Sequence, residues 1–329
     1  MATPIPIPDS YASLPLTQVR VSHNPASFPT ATKVLTVSLS RPDNHNAFTP
    51  IMERELVQVF NTISLDPRVK VAVLTGGLLA PKAGAPKGTP GPSIFCAGAD
   101  LVNGFGDGQG EHPRDHRDGG GRVALAIYRC RKVVIAALNG SAVGVGITMT
   151  LPCAIRVAWD QAKVGFVFAR RGIVMEACSS WFLPRLIGMS KALHLTTTGA
   201  IYPASHSLFD DLFTELVPHP TAVLPRALAL ADEIAENTST VSSYLMREMM
   251  YRGADSPEGQ HLLDSRVIYE LFGGKDNTEG VKAFMQKRDA NFQGTMEEDA
   301  PAIWPWWESV DTTQATQRKG YVFKAKGKL

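Results

Sequence analysis

No run of eighteen apolar residues occurs in the chain, so no helix is expected to cross a membrane. An excess of one charge is missing too: 33 Lys and Arg stand against 31 Asp and Glu, a formal net charge of +2. Without a broad basic field, neither a nucleic acid nor a membrane surface is expected as a partner. The opening segment, Met1 to Pro8, has neither the basic flank nor the apolar core of a secretory signal. Cysteine is scarce. Cys96, Cys130, Cys153 and Cys178 show no Cys-x-x-Cys spacing, and read as reduced, mostly buried thiols of an intracellular protein.

Apolar residues are plentiful, at 44% of 329, enough for one large core or a core with an appended subdomain. Short β-rich runs at 19–21 and 33–39 flank a turn-rich segment and predict a hairpin. Thr49-Pro50 reads as an N-cap followed by proline in the first helical turn. Met52, Leu56, Val59, Phe60 and Ile63 follow at helical spacing. Further strands are expected at 69–75, 94–96, 133–138, 154–159 and 164–168, the first as a β-branched run buried on both faces. Segments 76–93 and 103–121 are rich in glycine and read as loops. From Ser179 onward the pattern is helical, with a helix at 190–198 stopped by Gly199 and amphipathic segments at 221–237, 240–252, 257–272 and 278–288. Strands alternating with helices, then helices only, predict an α/β layer with a helical appendage. After Trp307 the chain turns polar and is expected to be disordered.

Three stretches carry chemistry. In Phe95-Cys96-Ala97-Gly98-Ala99-Asp100-Leu101 a strand runs into residues no bulkier than a methyl group, so a ligand can reach the backbone N–H groups. A tight turn without a ligand explains the same residues equally well. In Asn139-Gly140-Ser141-Ala142-Val143-Gly144-Val145-Gly146 a strand leads through glycines into a helix start, which favours developing negative charge. A dinucleotide fingerprint would need a third glycine where Met149 stands, and Gly-x-Ser-x-Gly is absent, so neither nicotinamide binding nor a serine nucleophile is supported. The third stretch, from Phe166 to Trp181, holds Glu176 as a lone carboxylate among apolar and small residues. Burial would raise its pKa and suit it to proton transfer. On the residues alone, a solvated glutamate ahead of a helix is the favoured reading.

Other features are blander. His112, Asp115 and His116 share a segment with Pro113 and glycines, so their spacing is not that of helical ligands, and no metal site is expected. Arg170 and Arg171 suit either anionic phosphates or structural ion pairs, and the Met246, Met249, Met250 stripe reads as packing.

Taken in order, Arg41-Pro42-Asp43-Asn44-His45-Asn46-Ala47-Phe48, CAGADL, NGSAVGVG and GIVMEACSSWFLPRLIG resemble the motifs of the crotonase superfamily, the enoyl-CoA hydratase/isomerase family, over about 19–288. The resemblance implies a repeated ββα spiral followed by a helical trimerisation region. It divides the chain into an N-terminal extension at 1–18, a core bearing the active site at 19–220, the helical region at 221–300 and a polar tail at 301–329. It also implies an acyl-CoA substrate, with coenzyme A as part of the thioester rather than a cofactor, and a homotrimer or homohexamer. Carried over by position, the backbone N–H groups of Ala99 and Val145 form an oxyanion hole. Asp43, Asn44, His45 and Ala47 match the loop at the adenine end of coenzyme A, and Ala97, Gly98 and Leu101 match the segment around pantetheine and thioester. The two glutamates with which hydratases hold water fall on Thr148 and Phe168. Glu176 falls where the Δ3,Δ2-enoyl-CoA isomerase branch keeps its single catalytic glutamate. Asp100 is a second carboxylate near the thioester, suited to orient water or a polar acyl group, or to cap the next helix.

The resemblance thus implies an enoyl-CoA isomerase with Glu176 as acid and base. The rivals are a hydratase, or other crotonase-type lyase or hydrolase, using Glu176 with a partner such as Asp100, and a catalytically silent acyl-CoA-binding protein. The terminal Gly327-Lys328-Leu329 is an imperfect peroxisomal address. Peroxisomal import, or a plain basic tail on a cytoplasmic protein, are the two readings.

Overall fold

The computed structural model describes residues 6–79, 91–102 and 112–314. The expected loops at 76–93 and 103–121 lie partly outside the described residues, and the terminal Gly-Lys-Leu wholly so.

The chain opens with a hairpin. Strand β1 (Val19–Asn24) pairs antiparallel with β2 (Val34–Leu39), Val19 opposite Leu39 and Asn24 opposite Val34. Helix α1 (Pro50–Leu65) starts where its cap predicts, Thr49 Oγ1 accepting the Met52 N–H at 3.2 Å. Its apolar stripe, Met52, Leu56, Val59, Phe60 and Ile63, is fully buried.

From there the chain winds as a repeat. Each turn lays one strand in a large sheet, the next in a small sheet, then a helix. The first turn is β3 (Val71–Gly76), β4 (Ile94–Cys96) and α2 (Gly119–Arg129). The second is β5 (Val133–Leu138), β6 (Ser141–Val143) and the single turn α3 (Val145–Thr148). The third is β7 (Ile155–Trp159), β8 (Lys163–Gly165) and α4 (Ser179–Ile187). Helix α5 (Met189–Thr198), β9 (Ile201–Pro203) and β10 (Glu215–Val217) complete the layers. The large sheet has the order β1-β2-β3-β5-β7-β10 and the small one β4-β6-β8-β9. This is the α/β spiral that the motifs imply.

The central strands of the large sheet, β2, β3, β5 and β7, are buried on both faces, which explains their continuous apolar runs. Ala72 and Leu74 of β3 face the main core with α1 and α2. Val71 and Val73 face the other way, onto Val223, Ala227, Ala231 and Ala235 of α6 (Pro220–Asn237). That i, i+4 stripe of mostly alanine lets the helix lie close to the sheet. Helices α7 (Thr240–Arg252), α8 (Pro257–Leu271) and α9 (Lys275–Gln286) follow.

The structure differs from expectation in four places. Helix α2 occupies the end of the segment expected to be loop. Its Gly119-Gly120-Gly121 start has poor helix propensity, offset by the Asp118 side chain, which caps Gly121 N–H, and by burial of Val123, Ala124 and Ile127. Strand β8 stops at Gly165, short of the expected 168. The expected disorder after Trp307 does not hold through residue 313: Arg117 donates to the carbonyls of Thr312 at 2.9 Å and Thr313 at 3.0 Å. Of the methionine stripe only Met249 packs inward, while Met246 and Met250 are exposed.

An aromatic cluster ties three helices together. Tyr128 of α2 meets Trp181 and Phe182 of α4 edge-on, at 6.1 and 5.6 Å, and Tyr251 of α7 at 5.5 Å. The C-terminal end of α2 is thereby held against the first turn of α4.

Candidate active site

Strands β4 and β6 are neighbours in the small sheet, Cys96 beside Ala142. Each ends in a glycine with positive φ, Gly98 at +93° and Gly144 at +54°. Gly144 combines that φ with ψ −129°, a conformation essentially closed to other residues. The two turns lie against each other: a Cβ added to Gly144 would stand 4.0 Å from Gly98 Cα.

The residue after each glycine presents its N–H. Phe48 forms a parallel bridge to Ala99, its N–H donating to Gly98 O at 2.8 Å and its carbonyl accepting from Asp100 N at 2.9 Å. That pattern uses the groups on either side of Ala99 and turns the Ala99 N–H to the opposite edge. Val145 is the first residue of α3, so its N–H has no carbonyl within the helix. Among the described residues neither amide donates a hydrogen bond. Both residues line one cavity of about 690 Å³, where paired free amides can receive an oxyanion.

Glu176 lines the same cavity. It precedes α4 through two left-handed non-glycine residues, Ala177 at φ +57° and Cys178 at +55°, each costing about 1–3 kcal/mol. Ser179 N–H closes that turn on the Glu176 carbonyl at 3.0 Å. The Thr148 hydroxyl donates to Glu176 Oε1 at 2.6 Å. Oε2 lies over Gly120 of α2, where a Cβ would fall 1.6 Å from it. Burial pushes the Glu176 carboxyl up to about 7, the Asp118 charge adding to the rise and the Thr148 bond opposing it. A carboxyl so placed takes and returns a proton near neutral pH.

The remaining expected residues divide. Ala97, Gly98 and Leu101 line the cavity. Asp43 and Asn44 belong to an exposed turn of 3-10 helix (Pro42–Asn44), followed by exposed His45 and half-buried Ala47. This loop docks on the CAGADL turn through Ala97 N–H to His45 O at 3.1 Å. The buried Asn46 side chain fixes its shape by accepting from Arg41 N at 2.9 Å and donating to Gly77 O at 3.2 Å.

Asp100 also lines the cavity, but its Oδ2 meets Arg41 Nη2 at 2.9 Å and its Oδ1 accepts from Val102 N at 3.1 Å. A carboxylate neutralised by a guanidinium is a poor base. Asp100 ties the Arg41 loop to the turn after β4. Phe168 and Arg171 form part of the wall, whereas Arg170 is spent on Thr198 O at 2.8 Å.

Sequence reasoning missed Asp118 and Gly120, both in the cavity wall. An N-cap aspartate followed by Val123, Ala124 and Ile127 at helical spacing was the available signal.

The chain matches the family model described as enoyl-CoA hydratase/isomerase over residues 30–295. It is similar to enoyl-CoA hydratase ACTT3 of Alternaria alternata, 47% identical over 272 residues, which are 83% of this chain and 87% of that protein. Among solved structures it resembles a probable enoyl-CoA hydratase/isomerase from Mycobacterium abscessus, with TM-score 0.69 and 29% identity over 80% of this chain and 96% of that one. It also resembles Pseudomonas aeruginosa DspI, with TM-score 0.71 and 26% identity over 85% and 99%.

Proposed function

Since the chain belongs to the enoyl-CoA hydratase/isomerase family, we propose that it is an enoyl-CoA isomerase with Glu176 as its acid and base. The observation that carries this reading is Glu176 itself, its carboxyl raised to about 7 in the cavity lined by the Ala99 and Val145 amides. Thr148 and Phe168, where hydratases of the family are expected to keep their glutamates, offer no carboxylate.

The thioester carbonyl of a 3-enoyl-CoA sits between the Ala99 and Val145 N–H groups. Glu176 removes a proton from C2, the electrons move into a dienolate, and the two amides stabilise its oxyanion. The protonated Glu176 then delivers the proton to C4, and the double bond ends in conjugation with the thioester. No atom is gained or lost and no further cofactor is needed.

The test is product analysis with 3-hexenoyl-CoA and, separately, 2-hexenoyl-CoA. Conjugation of the first without hydration of the second is expected. Glu176→Gln should lower that rate at least ~100-fold, and near-normal turnover in the variant would refute the assignment. The wild-type kcat/KM should rise with pH through about 7, because only the deprotonated carboxylate accepts the C2 proton.

A second reading, hydration of a 2-enoyl-CoA, is favoured by the name of the Alternaria relative and by Asp118 beside Glu176. Water addition to 2-hexenoyl-CoA would select it.

A further inference from the structure

We infer that Asp118 is a positioning residue for Glu176, fixing where its carboxyl stands through the backbone and how tightly it keeps its proton through charge. The inference rests on Glu176 being the working base, as proposed above, and adds a positioning residue to it.

Asp118 reaches Glu176 by two routes. The first is through the backbone. Its Oδ1 accepts the N–H of Ala177, the residue after Glu176, at 3.1 Å, and also the N–H of Gly121. One oxygen therefore ties the first turn of α2 to the strained turn that carries the base. The aromatic contacts of Tyr128 with Trp181 and Phe182 brace the same two helices farther along.

The second route is through charge. Both carboxylates line the cavity, and each has one oxygen committed: Glu176 Oε1 to Thr148, Asp118 Oδ1 to the two amides. A side-chain hydrogen bond between the protonated Glu176 carboxyl and Asp118 adds to the rise. The negative charge of Asp118 disfavours ionisation of Glu176 and so helps hold its proton. Other charges of the cavity are engaged elsewhere. Glu53 is paired with Arg122 at 2.6 Å, Asp100 with Arg41, and Arg117 is bound to the carbonyls of Thr312 and Thr313. Arg54, His116 and Arg171 complete the charged wall. The buried thiol of Cys96, which also feels Glu176, is pushed up to about 12 and stays protonated.

The variant Asp118→Asn separates the routes. Its amide oxygen still accepts from Gly121 and Ala177, so the turn is kept while the charge is removed. The acid limb of the kcat/KM profile should then move to lower pH by about one unit. In infrared difference titrations the protonated carboxyl band that Glu176→Gln abolishes should move by the same amount. Asp118→Ser, a neutral helix cap, should reproduce the shift should the asparagine mispack. Asp118→Ala, which frees both amides, should lower kcat at every pH. An unmoved carboxyl band in the two neutral variants would overturn the charge route. The infrared titration needs no turnover, so it decides even where every enoyl-CoA substrate fails and the isomerase reading falls.

Discussion

At Gly120 the absence of one methyl group leaves the room in which the Glu176 carboxylate stands. A Cβ there would meet Glu176 Oε2 at 1.6 Å and Val145 Cγ2 at 3.1 Å, so it presses on the proposed base and the proposed oxyanion donor together. Gly120→Ala should therefore lower kcat by about 100-fold, as expected when a reacting group is displaced by about 1 Å. The cost in folding should be smaller, because alanine favours the helix that glycine weakens. Steady-state kinetics beside thermal unfolding read both. Residues at this scale were unequally legible. Glu176, Ala99 and Val145 stand inside ordered motifs, so their position in the chain announces them. Asp118 has no motif: it meets Glu176 only because α2 folds back across the spiral, a juxtaposition that local sequence does not encode.

Helices α2 and α4 act together in the same way. Each carries a cavity carboxylate at or just ahead of its N-terminus, and Tyr128, Trp181, Phe182 and Tyr251 join their flanks. Phe182 is 2% exposed, and Phe182→Ala should cost about 3–5 kcal/mol of stability, seen as a lowered denaturation midpoint. The surviving folded enzyme should also lose kcat, since the turn at Ala177 and Cys178 is held from below by that ring cluster. Elements with local signatures were readable beforehand. The Thr49-Pro50 cap, the β-branched strands and the Gly199 stop each follow from the residues they contain. Helix α2 was not, since its three leading glycines argue against a helix and the Asp118 cap, contacts with α1 and α3 and the aromatic cluster supply its stability.

Across the whole molecule the C-terminal helices present an uncovered apolar surface. Leu262, Ile268 and Tyr269 of α8, Phe272 at its end, and Val281, Phe284 and Met285 of α9 are each more than half exposed. Patches of this kind mark association surfaces, and self-association through α8 and α9 is expected, as a trimer or a pair of trimers. Sedimentation equilibrium should give a multiple of the 35.6 kDa chain, and Phe284→Glu should shift the mass downward. A wild-type monomer would set the expectation aside. The winding of the chain has a different kind of consequence. The two amide donors come from matching points in successive turns of the spiral, after neighbouring strands β4 and β6, so their separation is set by the strand spacing of about 4.8 Å. Segments inserted between the strands can lengthen, shorten or change character without altering that spacing. Such a scaffold is evolvable: descent can rewrite what the cavity admits while inheriting unchanged the device that makes an enolate accessible.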